Sequence, residues 1–448
     1  MTEKPSVPKP PIVMTIAGSD SGGGAGIAAD LKTFAAFGVH GTCAITSVTA
    51  QNTTGVLKTF DLAPEAVASQ IEAVCTDMNI KWAKSGMLAS SEIVKEVAKQ
   101  VKKYGLSLVI DPVMAAEAGG DLLRKEAFSV LIEELLPLCK VTTPNASEAG
   151  ALAGIPVKTH EDAKLAARKI ADLGVEAVIV TGGHLDATDL LYESVSDTFT
   201  RIPGTFVRGG THGSGCTYSA AMTACLACED NLETAARKAK EFVVQAIQSS
   251  LPVGRGAGPV NPLGKTLEDK ERYLALKDVK KAVLILTDSP EFAKLIPEAG
   301  CNIGRAIPGA RSYEDIAAVE GRIVRYRGRA NPVGCVDFGA SRHVARVVFA
   351  ALCENPEIKA AMNLKYSEEI LEACREMGLG IASFDRAEEP EGVSTLDWGT
   401  SEAIKEYGGV PEVIYDEGGV GKEPVVRLLG PDASELAKLA VELARRIK

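Results

Sequence analysis

The sequence predicts an α/β protein of two domains, the first built on a mainly parallel sheet. Three observations predict it. Short apolar runs alternate with amphipathic stretches over roughly the first 250 residues, the pattern of strands joined by helical crossovers. Glycine clusters fall where a predicted strand hands over to a helix, the edge at which such sheets bind ligands. The segment LPVGRGAGPVNPLGKTLEDKE (251–271) then breaks the rhythm, and a new pattern begins at 279. A chain of 448 residues also allows two or three domains on length alone.

In order, a proline-rich tail (1–11) leads into a strand at 12–17 and a helix at 27–37. A strand at 43–51 precedes a helix at 64–79. WAKSGM (82–87) is strand-like, and 91–104 is helical with Ser90 or Ser91 as cap. LSLVIDPVM (106–114) is a continuous apolar run that suits a buried parallel strand. A helix near 125–136, a strand at 139–143, a helix at 160–173 and a strand at 176–183 follow. Helices at 214–228 and 232–249 close this domain. Beyond it, VKKAVLILTD (279–288) reads as a strand, with helices at about 342–353, 367–377 and 432–446. The boundaries are therefore a tail 1–11, a domain 12–262, a linker 263–272 and a domain 273–448.

Composition excludes several classes. Hydrophobic residues at 46% and charged residues at 24% do not fit a disordered tail, a coiled coil or a collagen. A net charge of −10 argues against nucleic acid, whose phosphates need a basic face. No apolar run is long enough for a membrane span, and the N-terminal stretch lacks the apolar core of a secretory signal. Ten cysteines scattered through apolar segments read as reduced thiols in a cytoplasmic protein. Cys225 and Cys228 form a CxxC with no second pair nearby, which favours helix packing over metal binding.

Three segments of the first domain carry chemistry. AGSDSGGGAGIAADLKTF (17–34) places five glycines and two aspartates between strand and helix, as a flexible turn or as a close backbone approach to a ligand. It matches neither the P-loop nor the dinucleotide spacing. Asp30 lies about one turn into the helix, where it either bonds a ligand amino or hydroxyl group or is solvated. RGGTHGSGCTYSAA (208–221) runs a glycine turn into a helix. The amides of Gly213, Ser214, Gly215 and Cys216 would form an anion site at its N-terminus. A thiol there should have a lowered pKa and could accept a proton. In TPNASEAGAL (143–152), Asn145 and Glu148 share a helical face. They fit a hydrated Mg²⁺ at nucleotide phosphates, or a capping box, which the spacing alone favours.

In the second domain, GRIVRYRGRANPVGCVDFGASRHVARVVFAAL (321–352) is the one dense basic stretch. If 323–329 is extended, Arg325, Arg327 and Arg329 share a face. Ser341 would cap the next helix, with Arg342 and His343 in its first turn and Arg346 one turn on. Cations normally avoid that end of a helix, so an anion held between them and the free amides explains the placement. His343 is a candidate acid or base, or simply structural.

The motifs TIAGSDSGGGAGIAADLKTF, TSVTAQNT, KSGML, DPVM, TPNASEA, TGGH and THGSGCTYSAA occur in this order across 12–262. Together they resemble the hydroxymethylpyrimidine/phosphomethylpyrimidine kinases of thiamine biosynthesis, in the ribokinase superfamily. The resemblance implies a three-layer α/β/α domain, often a homodimer, that uses ATP and Mg²⁺. It would phosphorylate 4-amino-5-hydroxymethyl-2-methylpyrimidine to its monophosphate and then its diphosphate. By motif, Gly18, Asp30 and Gln51 resemble pyrimidine-binding positions. Gly213, Ser214, Gly215 and Cys216 resemble the anion hole and catalytic thiol, and Asn145 and Glu148 the Mg-nucleotide region. Asp111 resembles a further metal-side acid beside Glu148. The family often has Lys where Thr181 stands in VTGGH, and His212 or another cation would have to cover for it. A pyridoxal-type vitamin kinase is the alternative on the same fold.

The stretch LIPEAGCNIGRAIPGARSYEDIAAVEGRIVRYRGRANPVGCVDFGASRHVAR, continued by PEIKAAMNLKYS, resembles the thiamine-phosphate synthase domain fused behind this kinase, mainly in archaea. That domain is similar to class II aldolase-like α/β folds. The resemblance implies condensation of the pyrimidine diphosphate with 4-methyl-5-(2-phosphoethyl)thiazole, releasing pyrophosphate. It assigns catalysis to Arg322 and His343 and places Asn302, Ser341 and Arg342 at the substrate. A related domain senses thiamine phosphate without catalysis, and His343 favours the catalytic version. All implied partners are small molecules, with no nucleic acid and no membrane.

Overall fold

The structure is a computed structural model and describes residues 9–114, 125–386, 395–419 and 421–447. The chain forms two compact units, Met1–Thr266 and Leu267–Lys448. The first contains β1 (Ile12–Asp20), α1 (Gly26–Ala36), β2 (His40–Asn52), β3 (Gly55–Asp61), α2 (Pro64–Cys75), β4 (Trp82–Ser85), α3 (Ser91–Tyr104), β5 (Ser107–Ile110) and α4 (Lys125–Val130). Then come β6 (Cys139–Thr142), α5 (Ala146–Ala153), α6 (His160–Ala171), β7 (Ala177–Val180), β8 (Asp189–Glu193), β9 (Thr198–Ile202), α7 (Ser214–Ala227) and α8 (Leu232–Gln248).

The nine strands run in the order β3-β2-β1-β4-β5-β6-β7-β8-β9. From β2 to β7 along that order every pair is parallel. The two ends are antiparallel hairpins. Helices cover both faces. Side chains of α2, α3 and α6 pack on one core, and those of α1, α7 and α8 on others. This double cover is why β7 is buried at every residue and reads as an unbroken apolar run. The cap of α3 is Ser90, whose hydroxyl accepts the Ile93 amide at 3.3 Å.

The second unit contains most of α9 (Gly264–Asp288), then β10 (Ile303–Ala306), β11 (Ile316–Val319), β12 (Ile323–Tyr326), β13 (Arg329–Pro332), β14 (Val336–Phe338) and α10 (Arg342–Glu354). It continues with β15 (Ala360–Lys365), α11 (Glu368–Glu376), β16 (Ile381–Ser383), α12 (Thr395–Tyr407), β17 (Val413–Asp416), β18 (Val425–Gly430) and α13 (Ala433–Arg446). Seven strands form a sheet in the order β14-β11-β10-β15-β18-β17-β16. It is antiparallel except for the β16–β17 pair. Side chains alternate between two cores: Met362 and Leu428 face α9, α11 and α13, whereas Ala361 and Leu429 face α10 and α12.

Two expectations need correction. The strand expected at 279–288 is helical, and so is nearly all of the expected linker 263–272. Val279, Ala282, Val283 and Leu286 are buried at helical spacing, and the short run VLIL could not separate the two readings. The basic stretch is also not one extended face. Tyr326 pairs with Arg329 across a tight turn at Arg327 and Gly328, both with positive φ. Arg325 and Arg329 therefore fall on opposite faces of a hairpin, and Arg327 sits at its tip.

Helix α9 is tied to its unit through Asp278. Its carboxylate accepts the amides of Ala433 (2.8 Å) and Ser434 (3.3 Å), replacing a local cap at the start of α13. Arg305 joins Asp278 at 3.1 Å to Asp432 at 3.0 Å. Asp278→Ala is expected to destabilise this unit by about 1–3 kcal/mol, since one cap and one partner of Arg305 are lost together. Urea unfolding of the full chain measures it; an unfolding profile identical to wild type would contradict this account.

Candidate functional site

Strand β1 delivers Asp20 to the carboxyl edge of the parallel sheet, where it organises the glycine loop. Its carboxylate accepts the amides of Gly22 (2.7 Å), Gly24 (2.9 Å) and Ala25 (2.9 Å). The fourth contact is His212, whose Nε2 lies 3.0 Å from Asp20 Oδ2. Burial raises the Asp20 pKa, but His212 and the three amides outweigh it and hold the carboxyl below its ordinary value. The Gln51 amide lies 3.4 Å from the same histidine nitrogen. Gly18 closes the loop: a Cβ on Gly26, at φ +55°, would sit 2.2 Å from the Gly18 carbonyl oxygen.

The second glycine turn locks onto the first. Gly213 is the N-cap of α7 with φ +86°, and a Cβ there would lie 1.9 Å from the Gly24 oxygen. No side chain caps α7, and while the Ser214 amide is taken by Thr211 O at 2.9 Å, contrary to expectation, those of Gly215 and Cys216 remain open to a ligand.

Beneath these turns lies a buried charge cluster. Lys84 on β4 sits 2.9 Å and 3.0 Å from the two Asp30 carboxylate oxygens, and both side chains are fully buried. Thr15 Oγ1 donates to Asp30 Oδ2 at 2.6 Å. Asp111, at the end of β5, accepts Ser219 Oγ at 3.1 Å. Burial lowers the Lys84 pKa, but Asp30, Cys216 and Asp111 outweigh it and keep the ammonium protonated. Asp30 is thus committed to Lys84 and Thr15, and is neither solvated nor open to a ligand.

The expected low pKa of Cys216 is also corrected. Burial, with the nearby Asp30 and Asp111 charges, pushes the thiol up to about 12. Lys84 and the Gly26 amide oppose this without reversing it.

Asn145 and Glu148 form a capping box on α5. Asn145 Oδ1 accepts the Ser147 and Glu148 amides at 2.9 and 3.0 Å, and Glu148 Oε2 accepts the Asn145 amide at 2.9 Å. Glu148 also faces Asp111: burial, and then that carboxylate, push its pKa up to about 8. The Thr181 amide bonds Pro144 O at 2.9 Å. Asp189 holds the next amide, Gly182, at 2.8 Å and takes Lys240 at 2.7 Å. Lys240 lines a cleft of about 470 Å³ with Ile202, Pro203, Gly204 and Val244, where β9 enters the loop toward α7. Among the described residues, no three His, Cys, Asp or Glu side chains are grouped to hold a metal.

The second unit has its own cationic site at the N-terminus of α10. Ser341 occupies the N-cap position, but its hydroxyl makes no capping bond, contrary to expectation, so the first amides stay open. Arg342 opens the helix and is exposed. Arg322 has φ +126°, a backbone strain that costs on the order of 1–3 kcal/mol, and its guanidinium donates to Ala299 O. His343 is exposed to solvent, yet desolvation and four guanidiniums, those of Arg427, Arg322, Arg386 and Arg346, take its pKa down to about 4. Asn302 is not free for a substrate. Its side chain bonds Val319 N and O at 3.1 and 2.7 Å and Ile303 N at 2.9 Å.

A sequence model of the phosphomethylpyrimidine kinase family matches residues 20–261, and one of the thiamine-phosphate synthase ThiN family matches 278–442. The bifunctional thiamine biosynthesis protein ThiDN of Methanocaldococcus jannaschii is 35% identical over 97% of this chain and 99% of that one. The chain belongs to the ThiDN family. Its kinase unit is also 44% identical to a hydroxymethylpyrimidine/phosphomethylpyrimidine kinase of Rhizobium meliloti, over 58% of this chain and 99% of that one. In fold, that unit is ribokinase-like. An ADP complex of Bacillus subtilis pyridoxal kinase superposes with a TM-score of 0.53 at 37% identity, covering 57% of this chain and 98% of that one.

Several residues of this ThiDN-family site escaped the sequence reading. Lys84 stood inside the quoted motif KSGML, and a lysine ending an otherwise buried strand was the available signal. Asp20 was counted with Asp30 but not distinguished from it. Arg386, Asp416 and Arg427 lie in no local motif. The Lys84 cluster gives a clear expectation. Lys84→Met leaves buried acids without their cation and should destabilise the kinase unit by about 3–5 kcal/mol. Adding Asp30→Asn should recover about half or more of that loss in a double-mutant cycle by urea unfolding. Additive losses would show that the pair is not the coupled unit described.

Proposed function

We propose that the first unit uses ATP to phosphorylate 4-amino-5-hydroxymethyl-2-methylpyrimidine and then its monophosphate, and that the second joins the diphosphate to the thiazole phosphate. What chiefly supports this is the end-to-end match to a fused relative, with both matched families in the same order. Pyridoxal kinases share the first fold, but the ThiN unit behind it favours the pyrimidine.

In the first unit the substrate would lie between the Gly18–Gly26 loop and Gln51, its hydroxymethyl oxygen toward Cys216. The γ-phosphoryl group would rest on the amides of Gly213, Gly215 and Cys216, where negative charge would spread in transfer. The nucleotide base would occupy the cleft beside Lys240. Burial and Asp30 raise the Asp111 pKa, and burial and Asp111 raise that of Glu148, leaving two acids as a donor pair suited to Mg²⁺. Bound there, Mg²⁺ would neutralise nucleotide phosphate charge. Cys216 is a neutral thiol in the free site, so it would accept the hydroxyl proton only after losing its own to solvent. Lys84 beneath it favours the resulting thiolate.

In the second unit the thiazole nitrogen forms a bond to the pyrimidine methylene carbon as the C–O bond to pyrophosphate breaks. The open amides of α10 with Arg322 and Arg342 would hold the departing pyrophosphate, and His343 would protonate it. Asn302 would act from behind, by fixing Ile303 and Val319. The chain is read as a homodimer, consistent with Val48, Leu57 and Phe60 exposed on the β2–β3 hairpin. Ten free cysteines fit the cytoplasm.

Incubation with the pyrimidine alcohol, thiazole phosphate and Mg-ATP should yield thiamine phosphate, seen by mass spectrometry. His343→Ala should abolish that product while pyrimidine diphosphate accumulates. Cys216→Ala should slow the first phosphorylation by about tenfold or more. Unchanged synthesis in the first variant, or an unchanged rate in the second, would refute the respective assignment.

A further inference from the structure

The second site has a layer that the reading above does not use, and the following rests on that reading. We propose that Arg386, Asp416 and Arg427 form its charged floor, with Arg427 a positioning residue that ties anion binding to protonation of His343.

The floor is placed by the sheet. Arg427 on β18 stands opposite Asn363 on β15. Both alternate with side chains of the α9 face, so both point to the face covered by α10. Arg427 is 1% exposed and lies over the Phe384 ring, 5.2 Å from its centroid. Its Nη2 reaches Asp416 Oδ2 at 2.8 Å. The same carboxylate binds Arg386 through Nε at 2.5 Å and Nη2 at 3.0 Å, and accepts the Gly418 amide at 2.9 Å. One carboxylate thus serves two guanidiniums, and Arg427 Nε is buried without a hydrogen-bond partner. Among the described residues, the two guanidiniums share this one carboxylate.

The floor also connects to the rim. Asn363 Oδ1 accepts the Asn302 amide at 2.7 Å, and its Nδ2 donates to Gly300 O at 3.2 Å. The neighbouring Ala299 carbonyl accepts Arg322. The strained Arg322 and the buried Arg427 are therefore held in one frame.

The chemical consequence concerns His343. It feels Arg427 from β18, Arg386 from the loop after β16, Arg322 from the start of the β12–β13 hairpin and Arg346 from its own helix, and among the described residues Asp416 is the acid paired with Arg427 and Arg386. In the empty site these cations repel a further proton, so the imidazole is neutral at pH 7. A phosphate or pyrophosphate anion reverses the local field and makes the imidazolium favourable. The proton then arrives only with the anion. It can pass to the pyrophosphate oxygen as the C–O electron pair departs with it and the thiazole nitrogen bonds to carbon.

The test is an NMR titration of the His343 ring in the full chain, assigned by loss of its signal in His343→Asn, with and without inorganic pyrophosphate. In wild type, pyrophosphate should raise the His343 midpoint by about one pH unit or more. Arg427→Met should raise the midpoint in the empty site and shrink the pyrophosphate shift, while Arg427→Lys restores both. Asp416→Asn should move the empty-site midpoint the other way, downward, which keeps the test usable if Arg427→Met does not fold. A wild-type midpoint in Arg427→Met, or no response of wild type to pyrophosphate, would overturn the proposal. A pyrophosphate-induced shift in a protein that makes no thiamine phosphate would uphold this floor and sink the proposed reaction instead.

Discussion

The kinase unit depends on one buried ion pair. Lys84 and Asp30 are both sealed from water, and their desolvation is tolerable only because the geometry is close and Thr15 satisfies the carboxylate further. The three residues come from β4, α1 and β1, so the pair sets how the glycine-loop helix seats on the sheet. The same cation faces Asp111 from β5 and Cys216 from α7. Four elements that could each shift by an ångström are therefore held to one charge. Precision of this order matters in phosphoryl transfer, where the protein mainly positions groups and neutralises charge.

The two sites solve one problem by different means. Each offers a helix N-terminus without a side-chain cap, α7 in one and α10 in the other. Around α7 the supporting charges are a single buried lysine and three acids, Asp30, Asp111 and Glu148. Around α10, among the described residues, the support is Arg322, Arg346, Arg386 and Arg427 with Asp416.

Much of this was legible in the sequence, and the failures have physical causes. Glycine turns and strand–helix alternation are local signals, so the parallel core and both open helix ends could be read directly. The hairpin strands β3, β8 and β9 were missed. The first is almost wholly exposed and carries no clean alternation. VLIL in α9 was misread because four apolar residues fit both periods. The Cys216 pKa was misjudged because the helix-end rule is local, whereas the opposing acids come from α1 and β5. Asp416 and Arg427 left no trace for a related reason: their meaning arises from register across β17 and β18, which sequence spacing does not reveal.

Net charge illustrates the same limit. A balance of −10 sums over the whole chain. It says nothing about where cations are kept. Lys84 and Arg427, the two that most influence reactive groups here, are among the largest fully buried side chains. A buried cation is screened little by salt and repels or attracts a proton at close range. Surface lysines of the same formal charge do neither. A few cations placed beneath open helix ends thus set a local field that the net charge of an otherwise acidic protein does not reveal.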